Sequence, residues 1–309
     1  MTTCRRRGDR GVGLAAILMI SGFAMGIRAQ DAPVFRADTW LVVVPVAVHD
    51  RHGQLVTDLD RDAFHVSEDG RPQPLAIFRR DDVPVSVGLV IDNSGSMRER
   101  RTKVEAAALA FVHASNPLDE VFVMNFADQA RIDVPLTRDP RRVEAGLARI
   151  DAIGGTALRD ALVAATAYLR ADGVHDRKAL LVISDGFDNA SSESIARVRK
   201  DATLADVAVY ALVLPHADPS TAEKGFSELN ALAEHTGGTA IRLDRLDDIG
   251  ATALQLAHQL RQLYTLAYQP LKQALDGSYR HIHVVVKGRA GLSVRAREGY
   301  YATPRGRER

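Results

Sequence analysis

Five side chains in this 309-residue protein supply hard oxygen ligands at three places in the sequence: Asp92, Ser94, Ser96, Thr156 and Asp185. They are two carboxylates and three hydroxyls, with no cysteine or histidine ligand close to them in sequence. Such a set suits Mg²⁺ or Mn²⁺, with Ca²⁺ as an alternative, better than it suits zinc. Mg²⁺ is octahedral and keeps bound water, so a carboxylate from another molecule could take one position. The residues therefore predict a metal site that binds an acidic partner.

The sequence around these residues predicts how they are positioned. Asp92 follows the apolar run 85–91, and Asp185 follows a second short run that begins at residue 178. Continuous apolar runs of this length are typical of buried parallel strands. The turn 154–156 places Thr156 just before a helical pattern. Because ligands bind in open α/β sheets at the carboxyl ends of the strands, where strand order reverses, we expect these side chains to meet at that edge.

The spacing of the three motifs resembles the metal-ion-dependent adhesion site of von Willebrand factor type A domains. The motifs are Asp-x-Ser-x-Ser at 92–96, Gly-Gly-Thr at 154–156 and Ser-Asp-Gly at 184–186. The resemblance implies that the three hydroxyls contact the metal directly or nearly so, and that the two aspartates often act through water. The alternative is a serine-rich turn that caps a helix and binds nothing.

Helical and strand patterns alternate between residues 85 and 263, which we predict to be the von Willebrand factor type A domain. Helical spacing recurs near 104–112, 139–150, 158–171, 191–205 and 225–236, and strand patterns near 121–126, 178–184, 207–214 and 239–243. This alternation predicts an α/β fold with a doubly wound, mostly parallel sheet and helices on both faces, Rossmann-like in layout. A last amphipathic helix from Ile249 to Leu263 would cover the sheet. In related adhesion domains that helix can slide instead, which would make it a switch.

The two flanks of this domain, 30–84 and 264–303, are rich in strand patterns. Neither flank alone has enough strands to bury a face, so we predict that they pair into one small β-domain. In the first flank, Glu68-Asp69-Gly70 predicts a hairpin turn. Pro45 indicates a strand that lies at an edge or carries a bulge. Residues 304–309 would form a frayed tail.

The flanks and the domain together resemble the bacterial von Willebrand factor A-related family, whose members are mostly secreted or envelope proteins. This resemblance rests on Asp69-Gly70, 92–97, 154–158, 184–188, 264–270 and Arg297-Glu298-Gly299-Tyr300. It implies the fold and the metal site, and it supplies no ligand.

Residues 1–29 have the layout of a secretory signal peptide, with arginines before an uncharged stretch that ends at Ile27. We expect an exported protein of the periplasm, cell surface or medium, with membrane attachment only if the segment stays uncleaved. Cleavage would remove Cys4, the single cysteine, and with it any disulfide or thiol chemistry. It would also remove five of the 40 basic and one of the 39 acidic residues, leaving 35 and 38 and a net charge of −3. No concentrated basic face remains for nucleic acid.

Three functions fit these patterns. The first is a metal-dependent, adhesion-type module whose cation accepts an Asp or Glu of an unknown partner protein. The second is a structural envelope protein whose cation only ties loops together. The third, a metal-assisted hydrolase, lacks a general base near the motifs, so we expect no enzyme activity and no small-molecule substrate. Asp188 is either a ligand of a second cation or, as we expect, the cap of a helix that follows Ala190.

Overall fold

The computed structural model describes residues 40–147 and 154–304. The predicted signal peptide, the segment 30–39 and residues 305–309 lie outside this part of the chain. Across the described ranges, no helix combines the length and the apolar character needed to cross a bilayer.

The strands are β1 (Val42–His49), β2 (Phe64–Glu68), β3 (Arg71–Gln73), β4 (Leu75–Arg79), β5 (Val85–Asp92), β6 (Glu120–Phe126), β7 (Ala130–Thr137), β8 (Arg177–Ser184), β9 (Val207–Val213), β10 (Ala240–Arg242), β11 (Tyr264–Tyr268), β12 (Tyr279–Val286), β13 (Ser293–Arg295) and β14 (Gly299–Tyr301). The helices are α1 (Arg101–Ala114), α2 (Pro140–Leu147), α3 (Leu158–Asp172), α4 (Ile195–Leu204), α5 (Pro219–Thr236) and α6 (Ile249–Arg261).

The central sheet has the strand order β10-β9-β8-β5-β6-β7. Its neighbouring strands are parallel except β6 and β7, which are antiparallel. The chain runs from β5 to β6 on one side and later places β8 on the other side, so the strand order reverses at β5. With helices on both faces, this sheet and the additional antiparallel sheets confirm the predicted fold class. Asp92 is the last residue of β5, and Asp185 directly follows β8.

The antiparallel strand β7 has no counterpart among the predicted elements. Apolar residues alternate with polar ones through it, at Ile132, Val134 and Leu136, and Val134 alone of these is fully buried. Arg131 and Asp133 are two of the alternating polar residues, and they form an ion pair at 2.6 Å. Charged residues of this kind are typical of an edge strand, where they protect unpaired backbone groups from other chains. The period-two pattern was the available signal.

The helices cover the sheet on both faces. Buried residues of α1, α2 and α6 pack against one face, and those of α3, α4 and α5 pack against the other. Strand β5 is buried at every position, which explains its continuous apolar sequence. In α6 the buried positions Ile249, Ala253, Leu256 and Leu260 form one stripe against the sheet. The helix thus occupies the covering position that its periodicity predicts.

The two flanks pair with each other in two four-stranded sheets. Their strand orders are β13-β1-β11-β4 and β14-β12-β2-β3, so each sheet joins strands from before and after the central domain. Asp69 and Gly70 form the turn between β2 and β3, with φ angles of 48° and 77°. Positive φ angles at both central residues are typical of two-residue hairpin turns. Pro45 pairs with Thr265, while on the other side of β1 the pairing with β13 begins only at Ala47. On that side, β13 does not pair with Pro45, so the proline lies at an edge position of β1.

A buried polar network joins Glu68 of the first flank to three residues of the second flank, Tyr268, Arg280 and Tyr300. The Glu68 carboxylate accepts hydrogen bonds from Tyr268 Oη and Tyr300 Oη, each at 2.8 Å, and forms an ion pair with Arg280 at 3.3 Å. Arg280 is 0% exposed and also donates to the carbonyl oxygens of Lys272 and Ala274. Burial and the adjoining carboxylate both raise the pKa values of the two tyrosines. The two tyrosines are therefore buried between the sheets that the flanks form.

Candidate metal centre

The two carboxylates of the predicted site lie at neighbouring strand ends and are almost fully buried. Asp92 is 2% exposed and Asp185 is 1% exposed. Asp92 Oδ2 accepts a hydrogen bond of 2.6 Å from Ser184 Oγ, and its Oδ1 accepts one of 2.9 Å from the Ser94 backbone N–H. Ser184 Oγ in turn accepts from the Gly186 N–H at 2.9 Å. The last residue of β8 therefore orients both the aspartate of β5 and the loop that contains Asp185.

The serine hydroxyls connect the two carboxylates. Ser94 Oγ lies 3.1 Å from Ser96 Oγ, and Ser96 Oγ donates a hydrogen bond of 2.9 Å to Asp185 Oδ2. Ser94 is buried, whereas Ser96 faces solvent. Four of the five predicted ligands thus form one continuous cluster, and Ser96 marks its open side.

Thr156 reaches the same edge of the sheet through its loop. The Gly95 N–H donates to the Gly154 carbonyl at 3.2 Å, which joins the first two motif loops. Thr156 is buried, and its N–H donates to Asn189 Oδ1 at 2.8 Å while its carbonyl accepts from the Asn189 N–H at 3.1 Å. Asn189 thus fixes the backbone of Thr156 against the third loop.

The electrostatics of the cluster are dominated by its two buried carboxylates. The pKa of Asp92 is raised to about 6, chiefly because burial penalises its charged form. The charge of Asp185 acts in the same direction, and the hydrogen bonds from Ser184 and Ser94 oppose it. One protein cation is close, since Arg100 Nη1 lies 3.8 Å from Asp185 Oδ2. Two adjoining buried carboxylates with hydroxyl oxygens around them form a donor set that fits a hard divalent ion.

Several residues that support the cluster were not predicted. Ser184 stands inside the Ser-Asp-Gly motif, and its position at a strand end was the signal available for it. Asp128 is far from every motif, yet its carboxylate accepts from the Gly155 N–H at 2.7 Å. Arg100 follows the first motif by four residues, and its buried Nη1 has no hydrogen-bond partner among the described residues. No local pattern indicates these last two roles.

A close backbone contact sets the position of the third loop. Gly186 has a φ angle of 79°, and its backbone lies against Gly225 of α5. A Cβ atom at Gly225 would lie 2.5 Å from the Gly186 carbonyl oxygen, a distance that real Cβ atoms do not show. Glycine at both positions therefore lets α5 support the loop that contains Asp185.

Asp188 has a capping role different from the expected one. Its Oδ2 accepts from the Arg159 N–H at 2.9 Å and from Ser191 Oγ at 2.7 Å. Arg159 is in the first turn of α3, so Asp188 caps α3 and not the helix that follows Ala190. The N-terminus of that later helix, α4, is capped by Ser194, which accepts from the Arg197 N–H at 3.2 Å.

The surface beside the cluster combines an apolar side chain with charged ones. Phe187 is 39% exposed directly after the Asp185 loop, and its ring lies 6.0 Å from that of His216. A shallow groove next to it is lined by the basic residues Arg159, Arg199 and Lys224 and by the acidic residues Asp188, Glu223 and Glu228, and Arg159 pairs with Glu228 at 2.8 Å. The surface beside the cluster thus combines an apolar side chain with charges of both signs.

Comparison with known proteins identifies the central domain. Residues 87–187 match the family model described as "von Willebrand factor type A domain". This match contains all three motif loops. The protein therefore contains a von Willebrand factor type A domain, and the curated proteins include no significant match to it.

Two solved structures, with TM-scores of 0.52 and 0.50, agree with this assignment at the level of the fold. A von Willebrand factor type A protein from Catenulispora acidiphila is 12% identical, with a TM-score of 0.52 over 84% of this chain and 73% of that one. Proximal thread matrix protein 1 from the mussel byssus, with a zinc-occupied MIDAS motif, is 16% identical, with a TM-score of 0.50 over 63% of this chain and 50% of that one. The conserved hypothetical protein BatB from Bacteroides thetaiotaomicron is 21% identical, with a TM-score of 0.47 over 57% and 98% of the two chains.

Proposed function

We propose that this protein is an exported, divalent-metal-dependent binding module of the adhesion type. In this proposal Asp92, Ser94, Ser96, Thr156 and Asp185 hold Mg²⁺ or Mn²⁺, and the ion accepts an Asp or Glu side chain of a partner protein. The observation that carries the proposal is the hydrogen-bonded cluster of four of these residues at the sheet edge, with one exposed hydroxyl. The byssus protein described with zinc in its MIDAS motif supports divalent-metal binding by this kind of domain.

The exposure of the cluster supports a role in binding. Both carboxylates are buried, so they can orient the ion and balance its charge from below. Ser96 is on the solvent side, where an incoming carboxylate would arrive. A bound Mg²⁺ would supply a strong electrostatic contact to that carboxylate, since it keeps exchangeable water ligands. Phe187 and the groove beside it, which is lined by charges of both signs, would then set specificity for the partner.

The structural alternative assigns the cation only to loop stability. The loops are already joined by protein groups, through Gly95 with Gly154 and Thr156 with Asn189. The Ser184 hydroxyl also links Asp92 to the third loop. Because these contacts need no ion, the binding function accounts better for the buried carboxylates. The same buried placement of Asp92 and Asp185 supports a non-enzymatic role, since both are committed to the cluster.

The test is calorimetric titration of Mg²⁺ and Mn²⁺ into the purified protein and into Asp92→Ala. Saturable binding that the variant loses is the expected result. Both proteins would then serve as bait for envelope extract, with and without chelator, and a short Glu-containing peptide would compete. A partner that is lost with chelator, with the variant and with the peptide supports the proposal. Metal that raises the melting temperature while no acidic ligand competes would support the structural alternative, and absence of metal binding would overturn both.

A further inference from the structure

A cavity of about 250 Å³ lies between the central domain and the β-domain. The side chains around it are mostly apolar, with a few charged groups among them. This composition is the usual one for a small-molecule site.

The strand register explains why the cavity exists. On the β-domain side, Val43, Ala267 and Ile77 are paired across three strands and form one row of the lining. On the side of the central sheet, Ala179 and Ala208 are paired between β8 and β9. Since side chains two residues apart share a face of a strand, each strand presents one face to the cavity. The three alanines leave the space that larger side chains would fill.

The lining of the cavity contains more basic than acidic side chains. Arg297 forms an ion pair with Asp206, and Lys178 Nζ donates to the His175 carbonyl at 2.7 Å. Arg177 is 9% exposed, and its hydrogen bonds go to two neutral oxygens, Thr265 Oγ1 at 2.8 Å and the Leu260 carbonyl at 3.3 Å. These two bonds use two of the five N–H donors of a guanidinium group.

A second arginine lies at the rim of the same cavity. Arg79 is exposed and is paired across the sheet with Thr265, the residue that accepts from Arg177. Asp176, also exposed, is the acidic group of the rim. Among the described residues, neither Arg177 nor Arg79 forms an ion pair with a carboxylate, whereas Arg297 does. Arg177 is therefore the buried cation of the lining without a carboxylate at ion-pair distance among the described residues, and the charges of Asp81, Asp82 and Asp119 act on it from farther away.

We propose that this cavity binds a small amphiphilic carboxylate, whose apolar body occupies the alanine-lined space and whose carboxylate pairs with Arg177. A planar guanidinium matches a carboxylate through two parallel hydrogen bonds. A buried cation whose hydrogen bonds go to neutral oxygens is costly, so a monoanion would be favoured over a neutral molecule of equal shape. The site is separate from the metal centre, and it goes beyond the expectation from sequence that no small molecule is recognised.

The test compares octanoate with octanamide by calorimetry on the full chain. Chelator is present throughout, so that the carboxylate has no metal ion to bind at the other site. We expect saturable binding of octanoate, about tenfold tighter than that of octanamide because of the charge-assisted pair. Equal affinities, or absence of saturable binding by the wild type, would overturn the proposal.

Two variants assign the binding to this cavity. Arg177→Gln should reduce octanoate affinity to that of octanamide, and Arg177→Lys should retain part of the preference. Ala267→Leu fills the space from the apolar side and should weaken both ligands by about tenfold or more. Arg170→Gln, an exposed change on α3 with the same loss of charge, is the control. If Arg177→Gln does not fold, a folded Ala267→Leu decides: unchanged affinity in that variant would place the ligand elsewhere and refute the proposal.

Discussion

Gly225 of α5 lies in backbone contact with Gly186, the residue after Asp185. A helix distant in sequence from the metal motifs therefore helps to position one predicted ligand. A Cβ atom at Gly225 would approach the Gly186 carbonyl oxygen to 2.5 Å. Because both contacting groups are backbone, neither can yield by a change of rotamer. The position of the third motif loop thus depends on a residue outside all three motifs.

Gly225→Ala should displace that loop. We expect divalent-metal affinity to fall by about tenfold and the free energy of unfolding to fall by about 1–3 kcal/mol, as in other overpacked sites. Calorimetry with Mn²⁺ and denaturant unfolding measure the two effects. Gly250→Ala in α6 is the matched control, because a Cβ there meets nothing within 4 Å. Equal metal affinity in Gly225→Ala and wild type would show that the loop tolerates the shift.

Asp185→Ala should abolish divalent-cation binding and leave the fold intact. The carboxylate is the one that links Ser96 and Arg100 in the cluster. Mn²⁺ calorimetry together with circular dichroism checks both statements. Asp188→Ala serves as the control in the same loop, since Asp188 caps α3, and it should still bind metal. A folded Asp185→Ala protein with normal Mn²⁺ affinity would refute the assignment of that loop.

Ser96→Ala should weaken metal binding less than Asp185→Ala does. Ser96 is solvent-exposed, so a water molecule can take the place of its hydroxyl on the ion. We expect a loss of about tenfold in affinity, measured by the same Mn²⁺ titration. Complete loss of binding would mean that this hydroxyl is indispensable, and the proposed order of importance would be wrong.

Glu68→Gln should destabilise the protein without changing metal affinity. The substitution removes the closer of the two carboxylates beside the fully buried Arg280 and leaves Asp276 at 4.0 Å. Breaking a buried ion pair costs about 3–5 kcal/mol. Thermal and denaturant unfolding measure the loss. Glu144→Gln, at an exposed position of α2, should leave the unfolding midpoint unchanged. A Glu68 variant as stable as that control would contradict the importance of the network.

Removal of residues 30–84 should make the remaining chain insoluble. The deletion takes away β1, β2, β3 and β4, which pair with β11 and β12. Strands β11 and β12 would then expose unpaired edges, which promote aggregation. Expression of residues 85–309 followed by limited proteolysis is the measurement. A soluble, protease-resistant fragment would show that the central domain needs no contribution from the first flank, and our division of the chain into domains would have to change.

The sequence by itself determined the fold class and the positions of the candidate metal ligands. Both follow from the order of residues within short segments. An apolar run predicts a buried strand, and a residue at the end of that run, such as Asp92 or Asp185, must then lie at the edge of the sheet. Helical spacing fixed the stripe of α6 in the same way. The edge strand β7 was missed because its pattern has few apolar residues and contains Pro135, which weakens a strand pattern.

Only the tertiary structure decided which distant residues support those elements. Glu68 and Arg280 are 212 positions apart, and Ser184 contacts Asp92 across 92 positions. Such contacts arise when separately formed elements pack, so no period or spacing in the sequence encodes them. The same holds for Gly225 beneath the metal loop and for Arg177 in the cavity. Local pattern sets what each segment becomes, whereas the packing of segments sets the neighbours, the burial and therefore the chemistry of each side chain.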